Sequence, residues 1–183
     1  MKVRSIFILC FAALSFSGCL VYQKVAYEIA VDGKKSGEAK VSFYDLKSDA
    51  LGNKEFNEDK DNLFNKLLKS DEFVFSQKSE GKEVTARRLF ITDKKLNGEV
   101  SFKFQDVNVV EGIQFQDGYY FLTVQEGDSI ISTNGTIVPA KNFKRVIWGE
   151  NEKILKFEML TDVNLDDLRE LAPFYKPGSL NDH

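Results

Sequence analysis

The sequence predicts an α+β domain, a mainly antiparallel, curved β-meander sheet with one or two short helices packed on it. Three observations carry that expectation. Apolar and polar residues alternate along much of the chain. Two-residue turn signals containing glycine recur at short intervals. One stretch, Leu63-Phe64 followed by Leu67-Leu68, has the spacing of a helix face.

From Val25 to Val31 the apolar residues are Val25, Tyr27, Ile29 and Val31, a period of two that places them on one strand face, and Asp32-Gly33 then signals a turn. Ala39, Val41 and Phe43 repeat the alternation, so a hairpin is expected. A polar stretch from Lys47 to Asp61 leads into the helix, expected to begin near Asn57 to Asp59 and to end near Lys69. Phe73 with Phe75, and Leu89 with Ile91, alternate as strands do. Asn97-Gly98 is a hairpin signal because both residues tolerate the left-handed backbone of a type I′ turn, and Val100, Phe102 and Phe104 follow it on a single face. Asp117-Gly118 is a second such turn, between Ile113/Phe115 and Tyr120/Leu122/Val124. Asn134-Gly135 is a third, between Ile130 and Ile137/Val138. Phe143 to Trp148, the polar turn Gly149 to Glu152 and Ile154 to Met159 make a fourth hairpin. A short helix from about Asn164 to Ala172, with Leu165, Leu168 and Leu171 inward, ends at Pro173.

A chain of 183 residues can bury a substantial core, and 43% hydrophobic content with only three prolines argues against disorder. Beyond residue 18 there remain 23 Lys and Arg against 28 Asp and Glu, interleaved throughout. That leaves no basic stripe to neutralise several phosphates, so nucleic acid is not an expected partner. The two cysteines, Cys10 and Cys19, both fall within the first twenty residues, which excludes a disulfide framework for the body. The thirteen phenylalanines after position 18 supply core material instead.

The first residues have the parts of an export signal: positive charge at Lys2 and Arg4, an apolar stretch from Ile6 to Phe16, then the small residues Ser17 and Gly18. The apolar stretch is shorter than the about 20 residues a membrane-spanning helix needs. The segment Leu14-Ser15-Phe16-Ser17-Gly18-Cys19 resembles the lipobox of bacterial lipoprotein precursors, with Ser17, Gly18 and Cys19 matching position by position and Phe16 standing where leucine is usual. That resemblance covers the leader only. It implies that diacylglycerol is added to the Cys19 thiol, that a signal peptidase cuts between Gly18 and Cys19, and that the new amine receives a fatty acyl chain such as palmitate. Two or three chains on one cysteine would make release from a membrane very slow. The expected organisation is a signal peptide over 1–18, a lipidated cysteine with a short tether over 19–24, a single domain over 25–176 and a tail over 177–183. Leu20 rather than aspartate after the cysteine favours the outer over the inner membrane.

Chemistry is sparse. His183 is the one histidine and the last residue given, and no cysteine follows Cys19, so Ser-His-Asp, Cys-His and zinc sites are not expected. No GxGxxG or P-loop pattern is present, and no cofactor is expected. Asn57-Glu58-Asp59-Lys60-Asp61 is the best calcium candidate, but it lacks the spacing and central glycine of an EF-hand loop. It reads as a solvated helix start whose acids suit the positive end of the helix dipole, as do Asp166 and Asp167. Phe115, Tyr119, Tyr120, Phe121 and Trp148 read first as core, and otherwise as the lining of an apolar cavity or an exposed patch. Tyr119-Tyr120-Phe121 is the informative run: three consecutive aromatics on a strand cannot share one face.

The expected function is a non-enzymatic binding or structural role in the cell envelope, exerted from a membrane anchor at Cys19 on an envelope protein, a host protein or a lipid. The alternative is a carrier holding a lipid or small hydrophobe in a pocket under the sheet. A carboxylate-based enzyme is the third and weakest reading.

Overall fold

The alternation of Val25, Tyr27, Ile29 and Val31 produces β2 (Lys24–Asp32), and all four side chains are buried. Gly33, at φ +75°, turns the chain into β3 (Ser36–Tyr44), which pairs with β2 from Lys24↔Tyr44 to Asp32↔Ser36. The structure, a computed structural model, describes residues 20–125, 129–161 and 167–176. Ahead of β2, β1 (Leu20–Val21) pairs with β4 (Lys47–Ser48), whose other edge takes β13 (Arg169–Glu170). Residues 20–24, expected as a tether, therefore belong to the folded body: Leu20 and Tyr22 pack on core residues, and the Gln23 amide donates to Tyr44 O at 2.9 Å.

The first helix, α1 (Asn53–Asp61), begins earlier than expected and passes into a π-helical segment, Asn62–Leu67. Phe56, Asp59, Asn62 and Leu63 are buried, and Phe64, Leu67 and Leu68 pack on the same core cluster. The Phe73/Phe75 alternation does not make a strand. It lies in a helix, α2 (Asp71–Ser79), because Ser70 accepts the Glu72 amide at 3.0 Å as an N-cap and Asp71 and Glu72 suit the first turn. Gly81, at φ +84°, ends this helical stretch, its amide donating to Lys78 O at 3.0 Å.

Two further corrections concern turns. The hairpin of β5 (Lys82–Thr92) and β6 (Lys95–Phe104) turns at Asp93-Lys94, both with positive φ, and Asn97-Gly98 sits inside β6. Asn97 is buried and accepts the Asp45 amide at 3.1 Å, while a Cβ on Gly98 would come within 3.1 Å of Leu46 and 3.3 Å of Leu89. This Asn-Gly pair therefore serves side-chain bonding and close packing. Asp117-Gly118 does turn β7 (Ile113–Gln116) into β8 (Tyr119–Gln125) as expected. Asn134-Gly135 instead carries the chain from β9 (Ser129–Thr133) in one sheet to β10 (Thr136–Pro139) in another. Likewise Phe143–Gly149 (β11) and Ile154–Leu160 (β12) lie in different sheets and do not form the expected fourth hairpin. The expected helix from Asn164 lies partly outside the described residues. In its described part Arg169–Glu170 is strand, Leu171 is buried as expected, and a 3-10 turn spans Ala172–Phe174.

The described strands thus form a six-stranded antiparallel sheet, β5-β6-β3-β2-β12-β9, a four-stranded one, β10-β11-β8-β7, and the small β1-β4-β13 sheet. The fold is α+β. Two sheets joined by crossovers take the place of one continuous meander. Val25, Tyr27, Ile29 and Val31 meet Tyr120, Leu122, Val124, Val146 and Trp148 between the two larger sheets, with Tyr27 stacked on Phe157 at 4.6 Å. The helices cover the β5/β6 end of the same sheet face, where Arg87 donates to Leu67 O and Ser70 O at 3.0 and 2.8 Å. The opposite face of the large sheet is polar and carries the ion pairs Lys24–Glu158, Lys156–Glu28 and Arg88–Glu99.

Candidate binding surface

Strand alternation divides Tyr119-Tyr120-Phe121 between two environments. Tyr120 is fully buried, its hydroxyl donating to Lys34 O at 2.9 Å and its ring 4.7 Å from that of Phe115. Burial pushes its phenol pKa up, with a smaller contribution from the Glu150 charge. Tyr119 and Phe121 point the other way, out of the four-stranded sheet. Tyr119 is 55% exposed, and Gly149, directly opposite it on β11, has no side chain to cover it.

The neighbouring strands extend this outer face. Phe121 is flanked by Ile147 on β11, and Arg145 sits opposite Thr123 on one side and Val138 on the other. The Arg145 guanidinium lies 4.9 Å from the Phe121 ring centroid and 5.4 Å from that of Phe143. A cation laid across two rings keeps its charge near solvent while its stem covers apolar surface. Tyr119, Phe121, Phe143, Ile147 and Val138 around one guanidinium thus form an aromatic face able to hold an apolar or aromatic group beside an anion. The sequence reading named Tyr119 and Phe121 and missed Arg145. Its signal was the alternation of Phe143, Arg145 and Ile147 against the buried Val146 and Trp148.

Trp148, grouped with these aromatics in the sequence reading, faces inward and is 2% exposed. Its indole N–H donates to Asn134 Oδ1 at 2.8 Å, and the same oxygen accepts the Lys156 amide at 2.8 Å. Asn134 Nδ2 donates to Ile154 O at 2.7 Å. One asparagine thereby fastens the crossover to β11 and to β12.

The remaining candidate residues are dispersed. The acidic run Asn57 to Asp61 occupies the second half of α1 rather than a helix start. Asp59 points inward, accepting the Ser48 hydroxyl at 2.5 Å, and Asp61 points outward to accept from Asn65 Nδ2 at 2.7 Å. Burial raises the Asp59 pKa, the Ser48 hydrogen bond opposes that, and the charges of Asp49 and Glu58 add to it. Its Oδ1 is buried without a hydrogen-bond partner. Tyr27 donates to Glu111 at 3.1 Å, and burial, reinforced by the Glu111 charge, lifts its pKa well above the ordinary phenol value. Among the described residues no three His, Cys, Asp or Glu side chains are grouped to hold a metal ion, and no helix is long and apolar enough to cross a membrane. Gly18, Cys19, Asp166 and His183 lie outside the described residues. No family model, no curated protein and no solved structure matches the chain.

Proposed function

We propose that this chain is a lipid-anchored protein of the bacterial envelope, attached through Cys19 to the outer membrane, and that it works by binding rather than catalysis. The outer face of the four-stranded sheet is the binding surface, and its partner is an envelope protein presenting an apolar or aromatic side chain next to a carboxylate. The observation that supports this reading is the set of exposed Tyr119 and Arg145 with half-buried Phe121 between them, an aromatic face on the side of the sheet opposite the buried Tyr120, Leu122, Val146 and Trp148. The space between the large sheets is occupied by Trp148, Tyr120, Phe157 and Tyr27, so the support falls on the surface and not on an interior cavity.

A photo-crosslinking amino acid at position 119 in the full chain, expressed in a bacterial envelope, tests the surface. A discrete adduct is expected from position 119, absent from position 40 on the polar face of the large sheet and lost when Arg145→Glu is added. Equal crosslinking from both positions refutes the assignment. The anchor is tested separately: globomycin or Cys19→Ala should make uncleaved precursor accumulate, and normal maturation of Cys19→Ala removes that part of the reading.

A further inference from the structure

The described structure starts at Leu20, one residue after the proposed anchor, and Leu20 is already fixed in a sheet. It pairs with Ser48 on β4, and Ser48 pairs with Arg169 on β13. Arg169 Nη1 donates to Gly52 O at 2.9 Å, and its guanidinium lies 3.7 Å from the Phe56 ring centroid. Phe56 in turn meets Phe174 edge-on at 5.4 Å. One connected set of contacts therefore runs from Leu20 to the Leu51-Gly52 loop and the Phe174 turn. Leu51 is three residues beyond Ser48, which with one interstrand spacing keeps its Cα within about 15 Å of that of Leu20.

At this end two large apolar side chains face solvent: Leu51 is fully exposed, and Phe174 is 47% exposed. Lys60 Nζ lies 4.4 Å from the Phe174 ring centroid and 5.0 Å from that of Phe56, so two cations, Lys60 and Arg169, flank the aromatic pair. Aromatic rings beside cations suit the boundary between headgroups and acyl chains.

We propose that Leu51 and Phe174 seat the domain on the bilayer surface beside its anchor. The proposal rests on the lipid-anchor reading of Cys19. Acyl chains on that residue root it in the membrane, and a Cα–Cα step of about 3.8 Å puts Leu20 at headgroup level. Side chains within reach of Leu20 on that end then meet lipid, and insertion of about 5–10 Å brings the apolar tips to the acyl boundary. The acids Asp49 and Glu55 are interspersed with Lys54 along the loop, so the apolar tips carry the contact and not net charge.

The test uses the full chain carrying Cys10→Ser and one added cysteine, Leu51→Cys, Phe174→Cys or Lys35→Cys, each labelled with a polarity-sensitive fluorophore. Lys35 lies in the turn at the far end of β2 and serves as the water-exposed reference. The protein is reconstituted in phosphatidylethanolamine–phosphatidylglycerol vesicles containing a spin-labelled lipid. The mass of the N-terminal peptide reports separately whether Cys19 carries lipid. Labels at 51 and 174 should be blue-shifted and quenched severalfold more than the label at 35, with little dependence on the phosphatidylglycerol fraction. If all three labels are equally wet, the seat is overturned, and a lipidated Cys19 in the same sample leaves the anchor standing. If Cys19 lacks lipid, the anchor reading fails and its free thiol also takes label, so quenching is read as the excess over Cys10→Ser labelled at Cys19 alone: an excess at 51 and 174 keeps the seat, and no excess overturns it too.

Discussion

Asn134→Ala removes the fastening of the crossover between the two large sheets, and its cost follows from three hydrogen bonds. The indole N–H of Trp148, 2% exposed, loses its acceptor, and an unpaired buried donor costs about 1–3 kcal/mol. The Lys156 amide and Ile154 carbonyl also lose Asn134, but the corner is exposed and water replaces those contacts at about 0.5 kcal/mol each, the low end for a net hydrogen bond. The sum is about 2–4 kcal/mol. Asn134→Asp keeps the oxygen that serves Trp148 and Lys156, loses the bond to Ile154 O and sets a second carboxylate oxygen against that carbonyl, so its cost should be about 1 kcal/mol. Urea unfolding followed by fluorescence checks this directly, because Trp148 is the only tryptophan of the sequence. The native emission of Asn134→Ala should also shift to longer wavelength as water reaches the indole. A loss below about 0.5 kcal/mol for the alanine variant, or equal losses for the two variants, refutes the argument, since a buried unpaired donor cannot be that cheap.

Gly135→Ala places a Cβ 2.5 Å from Val146 Cγ1 and 2.7 Å from the Trp148 ring, so it should cost about 1–3 kcal/mol by overpacking. Gly37 would be a poor control because it also clashes, whereas an alanine at the unobstructed Gly149 should change the urea midpoint little. Asp59 has a folded-state pKa above its unfolded one, so the folded protein binds that proton more tightly. Its contribution to stability should rise as pH falls from neutral through the folded pKa to the ordinary aspartate range, and the ionised form is a burden above it. The urea midpoint of wild type should therefore gain on that of Asp59→Asn as pH falls through that range, and parallel curves or a loss would contradict the shift. Arg87→Leu leaves the Leu67 and Ser70 carbonyls without their guanidinium donor, a loss of about 1.5–3 kcal/mol for a charged hydrogen-bonding group. Amide exchange should then accelerate first in Asp71–Ser79, and unchanged protection there would show that Arg87 does not hold α2.

The strands were legible wherever burial on one face imposed a period of two, as at Val25 to Val31 and at Tyr120, Leu122 and Val124. What failed was the assumption that each Asn-Gly pair bends the chain. The Asp93-Lys94 turn accepts positive φ without glycine, which freed Asn97 and Gly98 for a strand interior where one makes a buried hydrogen bond and the other admits Leu46 and Leu89. Asn134-Gly135 is likewise not the expected hairpin turn, because whether neighbouring strands pair with each other or part into two layers depends on contacts more than ten residues away, such as Trp148 with Asn134. Phe73 and Phe75 misled because two apolar residues at that spacing fit a short strand, whereas the Ser70 cap and the acids after it were the better guide. Of the candidate binding surface, Tyr119 and Phe121 followed from alternation alone. The face that Arg145 occupies follows from the same alternation in β11, but its place beside Phe121 required the pairing of β8 with β11, which local sequence does not encode.

The position of β12 bears on the order in which the large sheet can form, and so on the export proposed for the chain. β2, β3, β5 and β6 can assemble by successive pairing, but one edge of β2 stays open until Ile154–Leu160 arrives, and β9 has no neighbour in the large sheet before then. Pairings separated by more than 120 residues form slowly, because a long loop must close before it is rewarded. If the chain is exported as proposed, N-terminus first, the large sheet would stay incomplete until nearly all of the polypeptide had crossed. The same delay leaves the open β2 edge as the stretch that an export chaperone would have most reason to shield.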